Sequence, residues 1–243
     1  TKLNNVNLTS AKMSSANLTR ANLTGAILKS TNLSSAALTS ANLTGVDLTS
    51  AALNSSNLGR ATLTNANLTG ANLNSSYLIG AILTGAIVTN ADFSSANLSN
   101  SDFSGNDFSG VTFNSANFVD TKLNNVNLTS AKMSSANLTR ANLTSAILKS
   151  TNLSSAALTN ANLTSADLTS AALNSSNLGS ATLTNAKLNS VNLSSANLTG
   201  ANLTGANLTN ANLNYANLTN AILTNAILTG ASFTGAILTG VTY

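Results

Sequence analysis

The chain has 243 residues, of which only 7% are charged, and ten Lys and Arg against six Asp give it a net charge of +4. It contains no His, Cys, Pro or Trp, which excludes Ser-His and Cys-His nucleophile pairs, disulfides and ordinary zinc sites. The few cations are dispersed, so we expect no nucleic-acid partner. No apolar run approaches the ~20 residues of a membrane span, and we expect none.

A period of five residues begins at Thr1 and continues without a slip to Tyr243. The third residue of each five is Leu at 39 of 49 positions, and the first is Ala at 34 of 49. The fifth is Gly, Ser or Asn at 43 of 48 positions. A helix would scatter the Leu side chains around its axis, and a continuous strand would alternate them between faces. A short strand followed by a two-residue corner turns the first and third residues inward and the second outward.

Units such as ANLTG, at 21–25 and again at 201–205, resemble the consensus A-(D/N)-L-x-x of the pentapeptide-repeat family. The resemblance covers the whole chain. It implies an all-β fold, a right-handed quadrilateral β-helix with four fives, or 20 residues, in each coil. On that geometry the chain makes about 12 coils. We expect a single continuous β-solenoid over residues 1–243.

The first part of the chain recurs later. Residues 1–66 return at 121–186 with 61 of 66 positions identical. The offset of 120 residues equals six coils, so the internal duplication of 1–120 in 121–240 leaves every residue on its face of the coil.

The middle of the chain carries larger core residues. Phe103, Phe108, Phe113 and Phe118 occupy all four third positions of one predicted coil, and Phe93 lies just before it. We interpret them as a plug of large side chains at the centre of the stack. Asn106 takes an inward position usually held by Ala, so its amide needs a hydrogen-bond partner inside.

Opposite charges recur at a spacing of twenty residues, whereas no two like charges do. Residues twenty apart would lie directly over one another in a four-sided coil, so these pairs support that geometry. The predicted stacked pairs are Asp102 with Lys122, Asp120 with Arg140, and Asp167 with Lys187.

The repeat pattern is already present at the first residues and still present at the last ones. Open coils expose unpaired backbone groups and invite another chain to add on. We therefore expect copies of the chain to associate head to tail. The candidate end-to-end residues are Thr1, Leu3, Leu8, Met13, Leu18, Leu228, Phe233, Leu238 and Tyr243.

All eight Ile residues are predicted to face outward. Either the β-propensity of Ile at the centre of a strand explains them, or they pack against a neighbouring rod. The candidates for lateral contact, and thus for bundling, are Ile27, Ile87, Ile147, Ile222, Ile227 and Ile237.

These features favour a structural protein that stacks end to end into an extracellular fibre or surface filament. A first alternative is ice binding, because ranks of outward Asn and Thr, such as Thr24, Thr44 and Thr64, could order water. A second comes from the family resemblance, since some pentapeptide-repeat proteins mimic DNA and bind type II topoisomerases. A positive net charge disfavours that mimicry.

An enzyme is not expected. Asp102 and Asp107 would lie on adjacent sides of one coil rather than converge in a cleft, and the Asp spacing matches no calcium loop. The sequence predicts no catalytic residue, no metal site and no cofactor.

Overall fold

The computed structural model describes all 243 residues. It contains no helix, and so none long and apolar enough to cross a membrane. Its β-structure consists of isolated parallel bridges, one at the second residue of each five, and every bridge joins residues twenty apart. A coil therefore takes twenty residues and has four faces of five. We number the faces by the first coil: face 1 holds residues 1–5, face 2 holds 6–10, face 3 holds 11–15 and face 4 holds 16–20.

The extended part of each face is shorter than the three-residue strand that the sequence predicts. In residues 161–165, Asn162 donates its amide to Ala141 of the coil below, at 3.0 Å. Leu163 and Ser165 donate to the coil above, at 2.7 and 2.9 Å. A corner lies on either side of the triplet, so only its middle residue has ladder partners on both sides. That residue alone forms a bridge.

Each corner is a tight turn with a left-handed residue. The amide of Ala166 donates to the carbonyl of Leu163 at 3.0 Å, which closes a four-residue turn. Ser165, the third residue of that turn, has a φ of 57°, and Ser170 at the next corner has a φ of 58°. A positive φ at this position alone is the signature of a type II turn. All fifth positions of the chain have positive φ, which explains their enrichment in Gly, Asn and Ser.

The Asn or Asp of the consensus completes the corner. The side-chain oxygen of Asn162 accepts the amide of Thr164 at 3.0 Å and the hydroxyl of the same residue at 2.6 Å. The fourth-position amide has no backbone partner, and an unpaired amide is unfavourable. An acceptor at the second position therefore stabilises the turn, and the same contact recurs along the chain.

The Ala and Leu side chains form one continuous core along the axis of the rod. Leu23 through Leu218 are almost all fully buried at the third positions. Polar residues at first positions find acceptors within the core. The Thr31 hydroxyl donates to the Leu8 carbonyl at 2.8 Å. No buried side-chain polar atom lacks a partner.

The five Phe residues of the predicted plug lie in the core at the middle of the stack, and all five are buried. Phe93 stacks on Phe113 of the next coil with ring centroids 5.2 Å apart. Phe103, Phe108 and Phe118 meet their neighbours edge to face at 5.1 to 5.7 Å.

The ladder is interrupted at one place inside the rod. On faces 1 and 2, residues 81–90 form no bridges to residues 101–110, whereas faces 3 and 4 of the same coils keep theirs. We call this interruption the ladder gap. The Asn106 side-chain amide crosses it and donates to the Leu83 carbonyl at 2.8 Å. The interior partner that the sequence requires for Asn106 is thus a core carbonyl.

Candidate self-association surfaces

The first coil presents a row of backbone groups without intramolecular partners. The second-position amides of residues 1–20 have no acceptor, nor do the carbonyls of their second and fourth positions have a donor. One coil further on, the same positions are paired: Asn22 donates to Thr1, and its carbonyl accepts from Leu3 at 2.7 Å. The first coil therefore leaves unpaired the same groups that are paired at nearly every internal coil.

The last coil presents the reciprocal groups. The third- and fifth-position amides from residue 225 onwards have no acceptor. The first-position carbonyls of residues 226–241 accept no hydrogen bond from a following coil. In the interior these are the groups that pair with second and fourth positions of the next coil. The two end faces of one rod are therefore complementary to each other.

Both end faces also expose core side chains. Leu3, Leu8 and Met13 are half-buried, and Leu18 is already buried. At the other end, Leu228 and Phe233 are half-buried. Leu238 and Tyr243 are 39% and 68% exposed, and Thr1 is exposed as well. The structure thus places the sequence-predicted end residues on two surfaces that combine apolar side chains with unpaired backbone.

The outward Ile residues do not form one continuous stripe. All six lateral candidates are exposed. Ile27 and Ile87 lie on face 2, three coils apart, which is about 14 Å at the spacing of paired strands. Ile222, Ile227 and Ile237 cluster near the last coil. Lateral contact stays a prediction, and of the six candidates only those three lie close together.

The stacked charge pairs lie in contact. Asp120 takes a forked hydrogen bond from Arg140, whose Nε and Nη2 each lie 2.7 Å from a carboxylate oxygen. The shortest N–O distances in the three pairs are 3.4 Å for Asp102 with Lys122, 2.7 Å for Asp120 with Arg140, and 3.9 Å for Asp167 with Lys187. All three pairs are partly exposed, so each stabilises the fold only weakly.

Two further ion pairs are diagonal. Lys29 lies 3.3 Å from Asp47, and the duplicated Lys149 lies 3.4 Å from Asp167. The Lys occupies a fourth position, and the Asp occupies the second position of the same face one coil later. Sequence reasoning missed these pairs because it compared only residues twenty apart. A search at a spacing of eighteen would have found both.

Hydrogen bonds and nearby cations lower the pKa of four of the six Asp side chains. Hydrogen bonds from the Ser104 hydroxyl and amide are the main cause that lowers the pKa of Asp102, with Lys122 adding to them. The hydrogen bond from Arg140 lowers the pKa of Asp120 in the same way. Burial raises the pKa of Asp47, but hydrogen bonds from Thr49 and the Lys29 ammonium outweigh it and lower that pKa overall. Such lowered pKa values are typical of structural carboxylates that accept hydrogen bonds within a turn or pair with a cation of the neighbouring coil.

In units whose second residue is Asn, the Thr hydroxyls of the ranks are hydrogen-bonded within their own unit; Thr64, which follows Thr62, has no such acceptor. The Thr24 hydroxyl donates to the Asn22 side-chain oxygen at 2.7 Å, and Thr44 and Thr164 do the same with Asn42 and Asn162. These hydroxyl protons therefore already have an acceptor in the protein. Ordering of water by the ranks stays a prediction.

No group of three or more acidic, His or Cys side chains is arranged to hold a metal ion. Asp102 and Asp107 lie on adjacent faces of one coil, and each accepts the amide of the residue two positions later. The structure brings together no acid, base and nucleophile.

Comparison with known proteins agrees with the fold. The model of the family described as pentapeptide repeats matches in eight copies, over 1–39, 31–70, 121–160, 136–174, 166–205 and 201–240. A second model, described as a pentapeptide repeat region, matches residues 56–132. No curated protein sequence is similar enough to this chain to count as a relative.

Several solved structures are similar in sequence. HetL, a pentapeptide repeat protein involved in heterocyst differentiation regulation from the cyanobacterium Nostoc, is 34% identical, with 87% of this chain and 86% of HetL covered and a TM-score of 0.41. Rfr23 from the cyanobacterium Cyanothece is 40% identical over 42% of this chain and 63% of its own, with a TM-score of 0.26. Full-length QnrB1, a plasmid-mediated fluoroquinolone resistance protein, is 20% identical over 72% of this chain and 90% of its own, with a TM-score of 0.30. From the family matches across its length, this chain belongs to the pentapeptide repeat family.

Proposed function

We propose that this chain is a non-enzymatic structural protein, a rod that joins copies of itself end to end into a filament, outside the cell or at its surface. The rod is a right-handed four-sided β-helix of about twelve coils, since 243 residues are divided into coils of twenty. At a strand spacing of about 4.8 Å it is roughly 58 Å long.

One observation carries the proposal: the hydrogen bonds between coils are the same at nearly every boundary in the rod. Each coil donates from its third and fifth positions and accepts at its second and fourth. An exposed coil of one copy therefore offers to an exposed coil of another the groups that already pair inside the rod. Burying the apolar end residues adds a hydrophobic contribution of about 25 cal/mol for each Å² removed from water.

The surface composition supports a structural role. The outward residues are mainly Asn, Thr and Ser, and nine of the 16 charged side chains form ion pairs within the rod. Long-range repulsion between copies is consequently small, which favours association.

Electron microscopy and light scattering of the purified 243-residue chain over a range of concentrations test the proposal. We expect rods that lengthen with concentration, and a fibre diffraction spacing of about 4.8 Å along the long axis. Rods that stay at the length of one chain at every concentration would show the proposal to be wrong.

A matched pair of variants tests the backbone pairing. The Asn7 amide has no partner within the chain, so Asn7→Pro removes a donor from the end face without breaking an internal bond. Asn7→Ala loses the same side-chain contacts with Thr9 but keeps the amide. We expect the Pro variant to form shorter filaments and the Ala variant to match the parent chain. Equal shortening by both variants would exclude pairing through this amide.

A further inference from the structure

The ladder gap leaves backbone groups unpaired on both of its sides. At nearly all other boundaries inside the rod, third- and fifth-position amides donate to carbonyls of the following coil. Second-position amides donate to carbonyls of the preceding coil. Across the gap six such bonds are missing. The amides without an acceptor belong to Leu83, Gly85, Val88, Asn90, Asp102 and Asp107. The carbonyls without a donor belong to Ala81, Ala86, Asp102, Ser104, Asp107 and Ser109.

There is space between the two sides. A cavity of about 440 Å³ on face 1 is lined from below by Ala81 and Ile82 and from above by Asp102 and Ser104. A second cavity, of about 180 Å³, lies on face 2 between residues 86–89 and the Asp107 side. The two cavities are consecutive along the coil, so the opening runs around one corner of the rod.

A glycine comparison shows the separation independently. Gly85 lies one coil after Asn65, and Gly205 lies one coil after Asn185. In both pairs the Asn side-chain oxygen would contact a β-carbon added to the Gly. Gly110 also lies one coil above an Asn, yet nothing is within 4 Å of its β-carbon position. The coils are therefore further apart at Asn90 than at equivalent corners.

Large core side chains lie above the gap, but their size alone does not open it, because Phe118 lies over Leu98 on face 4, where the ladder is closed. Phe103 lies over Leu83 and Phe108 lies over Val88, so a larger ring sits above a smaller side chain on faces 1 and 2. On face 3 the rings of Phe93 and Phe113 stack and the ladder stays closed. Two polar side chains bridge the opening. Asn106 donates to the Leu83 carbonyl, and the Ser101 hydroxyl accepts the Gly80 amide at 2.9 Å.

The rim of the gap combines apolar and acidic side chains. On the lower side, Ile82 and Ile87 are 47% and 53% exposed, and Tyr77 and Ile79 continue this apolar surface onto face 4. On the upper side, the Asp107 carboxylate has no cationic partner and accepts only the Ser109 amide. Its counterpart on face 1, Asp102, is already paired with a Lys.

We propose that the ladder gap binds an extended peptide segment of a partner protein, one that carries a Lys or Arg beside β-branched apolar residues. The segment lies along the opening, and its carbonyls accept hydrogen bonds from the unpaired lower-coil amides of Leu83, Gly85, Val88 and Asn90. Its apolar side chains cover Ile82 and Ile87, and its cation pairs with Asp107. This interaction is separate from end-to-end assembly, because the gap lies within a single rod.

Amide hydrogen exchange, measured by NMR on the isotope-labelled chain, tests the proposal. The probe is the capped pentapeptide Thr-Ile-Lys-Val-Thr, and the matched controls replace its Lys with Glu or methylate its backbone nitrogens. We expect the amides of Leu83, Gly85, Val88 and Asn90 to exchange rapidly in the free chain. Saturating Lys peptide should slow them by at least about tenfold, and neither control peptide should do so.

Variants of the chain separate the gap from its rim. The double variant Phe103→Leu, Phe108→Leu should close the ladder, protect the four amides without peptide and abolish binding. Phe118→Leu, on a face where the ladder is intact, should change neither property. Asp107→Asn should reduce the affinity for the Lys peptide by about tenfold and leave the four amides exposed in the free chain.

Three results would overturn the proposal. The first is protection of the four amides in the free parent chain, which would mean that the gap is closed in solution. The second is rapid exchange at every peptide concentration. The third is equal protection by the backbone-methylated peptide, which would exclude strand addition.

Discussion

The left-handed corner at Ser165 allows a direct test of why the fifth positions are so restricted. Ser165 is exposed and has a φ of 57°, and its amide donates to the coil above at 2.9 Å. A left-handed residue with a β-carbon costs about 1–2 kcal/mol, and more if the side chain is β-branched. Ser165 already bears the cost of a β-carbon, so Ser165→Val adds only the strain of the β-branch, and we expect it to lower the free energy of unfolding by about 1 kcal/mol.

Ser165→Gly should leave the free energy of unfolding within about 0.5 kcal/mol of the parent value. Gly relieves the left-handed strain, but it also gains about 0.5–1 kcal/mol of conformational freedom in the unfolded chain. Urea unfolding followed by circular dichroism measures both variants.

The matched control is Ser194→Val. Ser194 occupies a fourth position, where φ is not positive, so the same change of side chain meets no left-handed strain. A loss at Ser194 as large as the loss at Ser165 would refute the explanation from corner geometry. An equally stable Ser165→Val variant would refute it too.

Further predictions concern the core, the second position and acid. Leu163 is fully buried, so Leu163→Ala should cost about 2–5 kcal/mol in urea unfolding. Asn162→Ala leaves a fourth-position amide unpaired and should cost about 1 kcal/mol, whereas Ala172→Asn supplies such an acceptor and should stabilise the chain by a similar amount. The pKa of Asp120 is lowered in the folded chain, and so are those of three other Asp residues. Their stabilisation is complete above the unfolded pKa of about 3.9 and is lost as pH falls through the folded values, so thermal melts should be unchanged from neutral pH to about pH 5 and fall below about pH 4.

The period of five was sufficient to predict which side chains face inward and where the corners lie. Corners need residues that tolerate positive φ, and the core needs one small and one large apolar residue in each unit. The family resemblance implied the four-sided coil, and the charge pairs at a spacing of twenty supported it; the bridges show the coil of twenty residues directly. The reason for Asn at the second position required coordinates, because it depends on an amide that has no backbone acceptor.

The ladder gap could not be predicted, because the period of five runs through residues 81–110 without a change. The gap lies where two Phe rings stand over Leu83 and Val88, and the arrangement of one coil over the next is not visible in the pattern along the chain. The sequence did indicate that this region is unusual, through its Phe residues and Asn106. It did not indicate that the backbone separates there.

The twenty-residue register has a consequence for how such a gene changes length. Gain or loss of twenty residues, or of any multiple, leaves each later side chain above the same neighbours, whereas gain of five turns every later face by a quarter of a circle. The 120-residue offset between the near-identical segments is a whole multiple of twenty. Unequal recombination between those segments would therefore produce longer or shorter molecules in which every buried layer and every surface pair is already correct.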